Sequence, residues 1–302
     1  MTVPFRCSAA SRERRDPLPG TASTVRSWLL VENPGPWGAD AVRDNRMPPA
    51  VKSRLAEQAA TAGVRVLLVR RHHRRAPRRG FHAFAAYADP HRPWLESGIL
   101  AAPEDLLDLD LAALAGGRSP GLAPDPGSLL GVCTHGRHDA CCAERGRPVA
   151  AALTAARPEE TWEVSHIGGD RFAGNLVVLP HGLYYGGLDA GSAVEVGDAH
   201  ARGEVVLDHL RGRSGLAMPV QAAEIGLRRA LDETGVDAVR FVRRQVSGAT
   251  TRAEFDVIDG RYAVEVVTSV SDDSRQLTCS VLREVPAPRH DVVEVRRLDP
   301  GD

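Results

Sequence analysis

The chain has 302 residues, a length that favours two or three domains over one. Hydrophobic residues make up 43% and charged residues 25% of the sequence, which is typical of a globular protein with buried cores. The formal net charge of -1 excludes a global electrostatic attraction to nucleic acids or anionic membranes.

The first predicted unit spans residues 1–117 and begins with a polar arm. Residues 1–20 are rich in arginine and proline and have no apolar core, so we expect no signal peptide. No stretch of the chain reaches the roughly 18 consecutive apolar residues of a membrane span. After a strand and a proline-rich turn, the unit continues as helix, strand, strand and helix. These elements are predicted at 25–32, 33–38, 49–63, 64–70, 82–88 and 103–115. The order predicts a small α/β unit.

A proline- and glycine-rich segment at 118–127 predicts a linker to a second α/β unit at 128–215. Its predicted strands and helices lie at 128–133, 139–156, 161–166, 175–180 and 199–210.

Residues 216–302 are predicted to form a separate module that contains one helix and an antiparallel sheet. The amphipathic helix is predicted at 220–234, and four strands near 238–246, 252–258, 261–270 and 276–284. The expected fold class is therefore α/β, with two α/β units followed by a small helix-plus-sheet module.

The cysteines provide the first indication of a site. The chain has five cysteines, and we expect no export signal. An odd number of cysteines in such a chain argues against a disulfide framework. Cys133, Cys141 and Cys142 fall within ten residues, a clustering that favours a metal or redox site. We expect Cys7 and Cys279 to be structural or surface residues. Because such thiols must stay reduced, we expect a cytoplasmic protein.

Two predicted loops contain the candidate site residues. The first runs from a strand end at Cys133 to a helix that starts near Cys142, where the helix dipole favours a thiolate. The second places His166 and Asp170 four residues apart around a glycine pair, which lets the backbone pass close to a bulky group.

Three runs of the sequence resemble the sucrase/ferredoxin-like family. They are CTHGRHDACC at 133–142, HIGGDRFAGNLVVLPHGLYYG at 166–186 and WLLVENPGPWG at 28–38. The resemblance covers roughly residues 5–215 and implies thioredoxin-like α/β units. In the fungal relatives, such a ferredoxin carries a [2Fe–2S] cluster on two cysteines and two histidines.

The resemblance implies that Cys133 and Cys142 are the thiolate ligands and that His166 is the first histidine ligand. The position of the second histidine is Asp170 here, so the sequence departs from the family's pattern. A carboxylate can bind iron, and its negative charge predicts a lower potential than that of a bis-histidine centre. Cys141, His135, His138 and His181 remain alternative fourth ligands.

Four further residues are expected to surround the cluster. Arg137 and Arg171 could offset its charge, and Gly168 and Gly169 would let the backbone approach.

The basic segment from Arg70 to Arg79 could dock an acidic redox partner, such as a reductase or an acceptor. Nucleic acid is disfavoured as a ligand, because aromatic residues make up only 5% of the chain.

The implied function is electron transfer rather than substrate turnover. One alternative is a thiol/disulfide oxidoreductase, although the Cys-x-x-Cys motif is absent. Another is a binding protein without a cofactor. Sugar cleavage, which the family's name suggests, is disfavoured because no pair of carboxylates stands out.

Overall fold

A computed structural model describes residues 4–73 and 80–299. Within these ranges the chain forms a mixed α/β structure with a ten-stranded sheet and a four-stranded antiparallel sheet. From edge to edge, the order of strands in the large sheet is β10 (Leu210–Arg213), β9 (Leu183–Tyr185), β8 (Leu176–Leu179), β6 (Leu129–Cys133), β7 (Thr161–Val164), β2 (Arg65–Arg70), β1 (Ser27–Glu32), β3 (Phe81–Tyr87), β4 (Trp94–Leu100) and β5 (Ala123–Pro124).

The first half of the large sheet is built around β1 (Ser27–Glu32). This strand pairs in parallel with β2 (Arg65–Arg70) and antiparallel with β3 (Phe81–Tyr87). The crossover between β1 and β2 contains α3 (Pro49–Ala62), which buries Val51, Leu55 and Ala59 and ends at Gly63 in the left-handed conformation. The other elements of this half are α1 (Cys7–Arg14), α2 (Ala41–Asp44), β4 (Trp94–Leu100), a 3-10 helix (Pro103–Asp108), α4 (Leu111–Ala115) and β5 (Ala123–Pro124).

The second half repeats this connectivity. β6 (Leu129–Cys133) pairs in parallel with β7 (Thr161–Val164) and antiparallel with β8 (Leu176–Leu179), and α5 (Ala140–Ala156) crosses between β6 and β7. The half is completed by β9 (Leu183–Tyr185), α6 (Ala190–Ala201) and β10 (Leu210–Arg213).

The two halves join edge to edge through β2 and β7. The register pairs Val69 with Val164 and Arg70 with Glu163 in antiparallel orientation. The Glu163 carboxylate accepts a hydrogen bond from Arg70 Nε at 2.8 Å and one from Thr134 Oγ1 at 2.8 Å. One continuous sheet therefore runs across both α/β halves.

The C-terminal residues form the expected helix and antiparallel sheet. Helix α7 (Met218–Leu231) packs against strands β12 to β14. A buried carboxylate on this helix, Glu224, accepts hydrogen bonds from Arg213 of β10 at 2.9 Å and from Arg228 at 3.0 Å. The module is thus bound to the edge of the large sheet. Its strands are β11 (Arg240–Ser247), β12 (Thr250–Val257), β13 (Gly260–Gln276) and β14 (Glu284–Arg297).

Several predicted elements were wrong in position. The helix predicted at 199–210 runs instead from Ala190 to Ala201, because the Asp189 side chain caps its start. Residues 210–213 form the edge strand β10. The helix predicted at 103–115 is divided into a 3-10 helix and α4, since Leu109 is extended and Asp110 caps α4. The strand predicted at 276–284 is mostly the connection between β13 and β14.

Candidate metal centre

The first loop of the site connects β6 to α5. Cys133 is the last residue of β6, and Cys142 lies in the first turn of α5. Asp139 begins the helix by accepting a hydrogen bond from the Cys141 amide at 2.9 Å. Both predicted thiol ligands are only 1% exposed. The strand end and the helix start therefore hold two buried thiols close together.

The second loop follows β7 and contains the glycine pair. Gly168 and Gly169 have φ values of +101° and +80°, which side-chain-bearing residues rarely adopt. A Cβ at Gly169 would also overlap the guanidinium of Arg211. Glycine is thus required for the turn that places His166 and Asp170 against the thiols.

The four ligands implied by the sequence lie together. The ligating atoms of Cys133, Cys142 and His166 all fall within 4.8 Å of one another. Asp170 Oδ1 accepts a hydrogen bond from Cys142 Sγ at 3.2 Å and lies 3.0 Å from His166 Nδ1. The loops therefore form one cluster of two thiols, an imidazole and a carboxylate.

Among the alternative ligands, only His138 faces this cluster. Its ring stacks on that of His166 with centroids 3.7 Å apart, and its Nε2 lies 3.8 Å from Asp170 Oδ2. The two nitrogens of His135 are already engaged, one with the Gly38 carbonyl and the other with the His166 amide, at 2.9 and 3.2 Å.

The two remaining alternatives lie elsewhere. The thiol of Cys141 contacts Cys279 Sγ at 3.4 Å and belongs to a different cluster of side chains. The ring of His181 packs against that of His200, with centroids 5.4 Å apart.

Charge is strongly coupled within the cluster. The hydrogen bond from Cys142 lowers the pKa of Cys133 far below its ordinary value and raises that of Cys142, because the two thiols share one proton. Burial alone would lower the pKa of His166, but contacts with Asp170 and Cys133 outweigh it and raise the value to about 9. Burial likewise opposes ionisation of Asp170, yet its contact with His166 lowers the pKa of that carboxyl. In the metal-free cluster these shifts favour a thiolate at Cys133, an imidazolium at His166 and a carboxylate at Asp170.

One buried atom indicates that these residues suit a metal. His166 Nδ1 is inaccessible to solvent and makes no aligned hydrogen bond within the described part of the chain, despite its proximity to Asp170. The 3.0 Å contact with Asp170 Oδ1 is therefore an unaligned charge contact, and coordination of a metal by both groups would satisfy the nitrogen. Thiolate and imidazole donors suit zinc, copper and iron–sulfur groups. The donor set therefore fits a transition metal or an iron–sulfur cluster.

Sequence reasoning missed Arg211, which supports the second loop. This arginine is 1% exposed and donates hydrogen bonds to the Gly168 carbonyl at 3.0 Å and to Asn175 Oδ1 at 2.8 Å. Burial lowers the pKa of its guanidinium to about 10. No carboxylate pairs with Arg211 among residues 4–73 and 80–299. No motif indicated this residue, because it lies in an edge strand far from both motifs.

The arginines expected around the cluster have other contacts. Arg171 lies over the Phe172 ring at 4.6 Å, and its Nε is 3.8 Å from Asp16 Oδ2. Arg137 lines an open groove of about 460 Å³ beside the site, together with Trp37 and Arg147. Among residues 4–73 and 80–299, neither side chain forms a hydrogen bond or an ion pair with the four ligands.

The basic segment predicted as a docking surface is only partly described. Arg70 pairs with Glu163 at 2.7 Å, and Arg71 stacks on Trp162 at 3.8 Å while donating to nearby carbonyls. Arg74, Arg75, Arg78 and Arg79 lie outside the described residues. The two described arginines are therefore engaged within the chain.

The fold and the site define a mixed α/β protein with groups of cysteine, histidine and aspartate that could hold a metal. The sequence model of the sucrase/ferredoxin-like family matches residues 18–212, and the chain belongs to this family. No curated protein and no solved structure matches the chain. Within the described residues, no helix combines the length and the apolarity that crossing a bilayer requires.

Proposed function

We propose that this protein is an electron carrier that holds a [2Fe–2S] cluster on Cys133, Cys142, His166 and Asp170. The observation that carries the proposal is the convergence of these four side chains from two loops of the family-matched region. When bound, such a cluster would supply a one-electron redox couple. We also propose that each half of the large sheet is a thioredoxin-like unit, since both share one strand order.

The surrounding residues would bind and shield the group. The start of α5 places a positive helix dipole near Cys142, which favours the thiolate form. The buried positive charge of Arg211 would partly offset the negative charge of the ligands while it fixes the Gly168 carbonyl. The thiols, at 1% exposure, are closed to water.

The exposed edge of the site would be the route for electrons. His166 and His138 have side-chain exposures of 22% and 37%, the highest in this group of residues. The groove lined by Trp37, Arg137 and Arg147 also contains His135, whose ring lies 5.6 Å from that of His138. Its lining includes three arginines and one glutamate. An acidic redox partner that docks there would approach the imidazoles. We propose a reducing compartment such as the cytoplasm, because the thiol ligands must stay reduced.

The fourth ligand is proposed to be Asp170 rather than His138. The carboxylate is 4% exposed and touches both Cys142 and His166, whereas His138 is partly solvent-accessible and contacts Asp170 only at 3.8 Å. Substitution Asp170→His should restore the family's bis-histidine pattern and raise the reduction potential. Substitution His138→Ala should leave the iron content intact.

The test is anaerobic purification of the whole protein, followed by its visible spectrum and its iron and sulfide content. We expect about two irons and two sulfides per chain and broad absorption through the visible range. Cys133→Ser should abolish both, and Cys279→Ser, a cysteine outside the site, should not. A colourless wild-type protein that takes up no iron on reconstitution would refute the proposal.

A second candidate, thiol chemistry, is favoured by one observation. The lowered pKa of Cys133, caused first by the Cys142 hydrogen bond and then by His166, is typical of a reactive thiolate. Its 1% exposure opposes this function, since a substrate must reach the sulfur. Rapid labelling of Cys133 by iodoacetamide in a native, iron-free protein would favour this candidate.

A further inference from the structure

Three cysteines from widely separated parts of the sequence meet beside the first site. Cys7 comes from the start of α1, Cys141 from the start of α5, and Cys279 from the connection between β13 and β14. Cys279 Sγ lies 3.4 Å from Cys141 Sγ and 3.5 Å from Cys7 Sγ. Asp139 completes the group, and all four ligand atoms lie within 4.8 Å of one another.

The spacing of these atoms suits a tetrahedral ion. Around zinc, with bonds of about 2.3 Å to sulfur and 2.0 Å to oxygen, two sulfurs lie about 3.8 Å apart and a sulfur and an oxygen about 3.5 Å apart. The observed distance from Cys7 Sγ to Asp139 Oδ1 is 3.7 Å. These three distances therefore differ from the tetrahedral values by only a few tenths of an ångström.

The neighbouring groups are arranged as they are around metal thiolates. Asp139 accepts hydrogen bonds from the amides of Cys141 at 2.9 Å and Cys279 at 2.5 Å, which fixes the carboxylate. The Cys7 amide donates to Cys279 Sγ at 3.4 Å. Two arginines lie at α1 beside the group: Arg6 pairs with Glu144 at 2.7 Å, and Arg12 donates to the Ala173 carbonyl at 3.0 Å.

Simpler explanations account for less. A disulfide needs sulfurs about 2.05 Å apart and would leave one of the three thiols over. Helix capping explains the contact of Asp139 with the Cys141 amide, but not its contact with the Cys279 amide, 140 positions away in the sequence. Burial of thiols as small apolar groups does not explain why a carboxylate that is 2% exposed lies among them.

We propose that Cys7, Cys141, Cys279 and Asp139 form a second metal site that binds one Zn²⁺ ion. Binding requires all three sulfurs as thiolates and releases to solvent the protons that they still hold, with no oxidation or reduction. Four protein ligands close the coordination sphere, which is the arrangement of structural zinc sites. Cys7 and Cys279 lie outside the family-matched residues 18–212, so the ion would join both flanks of the chain to the family region.

The test measures zinc and iron together in the full-length protein purified under reducing conditions. We expect about one zinc per chain in the wild type and a loss of at least tenfold in Cys279→Ser, with iron unchanged. Cys133→Ser should show the reverse, loss of iron with zinc retained. The two sites are thereby tested independently, so that failure of one does not imply failure of the other.

A second measurement covers the case in which Cys279→Ser does not fold. Replacement of the zinc by Co²⁺ should give the visible ligand-field bands and the near-ultraviolet sulfur-to-cobalt band of a tetrahedral thiolate site. Cys279→His keeps a ligand at this position and should still bind Co²⁺, with a weaker sulfur-to-cobalt band. Any of three results would overturn the proposal. They are retention of zinc in Cys279→Ser, loss of zinc from Cys133→Ser, and a wild-type protein that binds neither zinc nor Co²⁺.

Discussion

Substitution Asp170→Asn in the metal-free protein should lower the pKa of His166. Burial opposes the imidazolium, and the contacts with Asp170 and Cys133 raise its pKa from 6.5 to about 9. At about 1.4 kcal/mol per pH unit, this difference corresponds to roughly 3 kcal/mol of folding free energy. The amide keeps the size of the side chain but removes its charge, so we expect the pKa to fall by at least about one unit.

The sign of the pH dependence follows from the raised value. His166 stabilises the folded state fully below the unfolded-state pKa of 6.5, and this stabilisation is lost as the pH rises through about 9. The His166 contribution to the free energy of unfolding should therefore decrease between these two pH values. The contribution of Cys133, whose pKa is lowered, changes in the opposite direction, so the His166 decrease is obtained from the comparison of wild type with Asp170→Asn. In Asp170→Asn the decrease should be smaller and should occur at lower pH.

The assay is a histidine NMR titration of metal-free protein, combined with urea unfolding at several pH values. Asp198→Asn is the matched control, because it removes a carboxylate that pairs with Arg157 at 2.9 Å on an exposed surface away from the site. A His166 resonance that titrates at the same pH in wild type and Asp170→Asn would refute the reasoning.

Three further predictions concern the residues around the site. Gly169→Ala should destabilise the protein by about 1–3 kcal/mol more than the control Gly187→Ala in thermal unfolding, because both glycines have positive φ but only Gly169 faces the Arg211 guanidinium. Equal losses would contradict this. Arg211→Met should lower iron content and cost several kcal/mol in urea unfolding, since it leaves the Gly168 carbonyl without its donor; unchanged stability and iron content would be the contrary result. Glu163→Gln should lower the free energy of unfolding by about 3–5 kcal/mol, because it leaves Arg70 and His72 without their buried carboxylate. The lowered pKa of Glu163 also predicts that the wild type loses stability as the pH falls below 4.5, and this loss should be absent from the variant.

Local sequence patterns predicted the elements that carry most of the first site. The bounds of five elements were predicted within a few residues, namely those of α3, α7, β1, β2 and β6. Their apolar residues recur at the spacing of the positions that the structure buries. The choice of two thiols and one imidazole as ligands came from the resemblance of two runs to the family's motifs, not from local patterns.

Contacts between distant parts of the chain could not be predicted in this way. The position of β10 depends on pairing with β9, and Arg211 acts through loops that precede it by 36 residues or more. The meeting of Cys7 and Cys279 joins residues 272 positions apart. Composition and periodicity describe only neighbouring residues, so these arrangements depend on the tertiary structure.

The first turn of α5 links the two proposed sites. Successive residues of a helix point about 100° apart, so Cys141 and Cys142 can face different clusters although they are adjacent. Cys142 faces Asp170, and Cys141 faces Cys279. An ion bound to Cys141 would therefore attach the β13–β14 connection of the C-terminal module to the start of α5, while Cys142 stays positioned by α5 itself and by its contact with Asp170. The proposed zinc site would thus stabilise the contact between the module and the family-matched region without supplying a ligand to the first site.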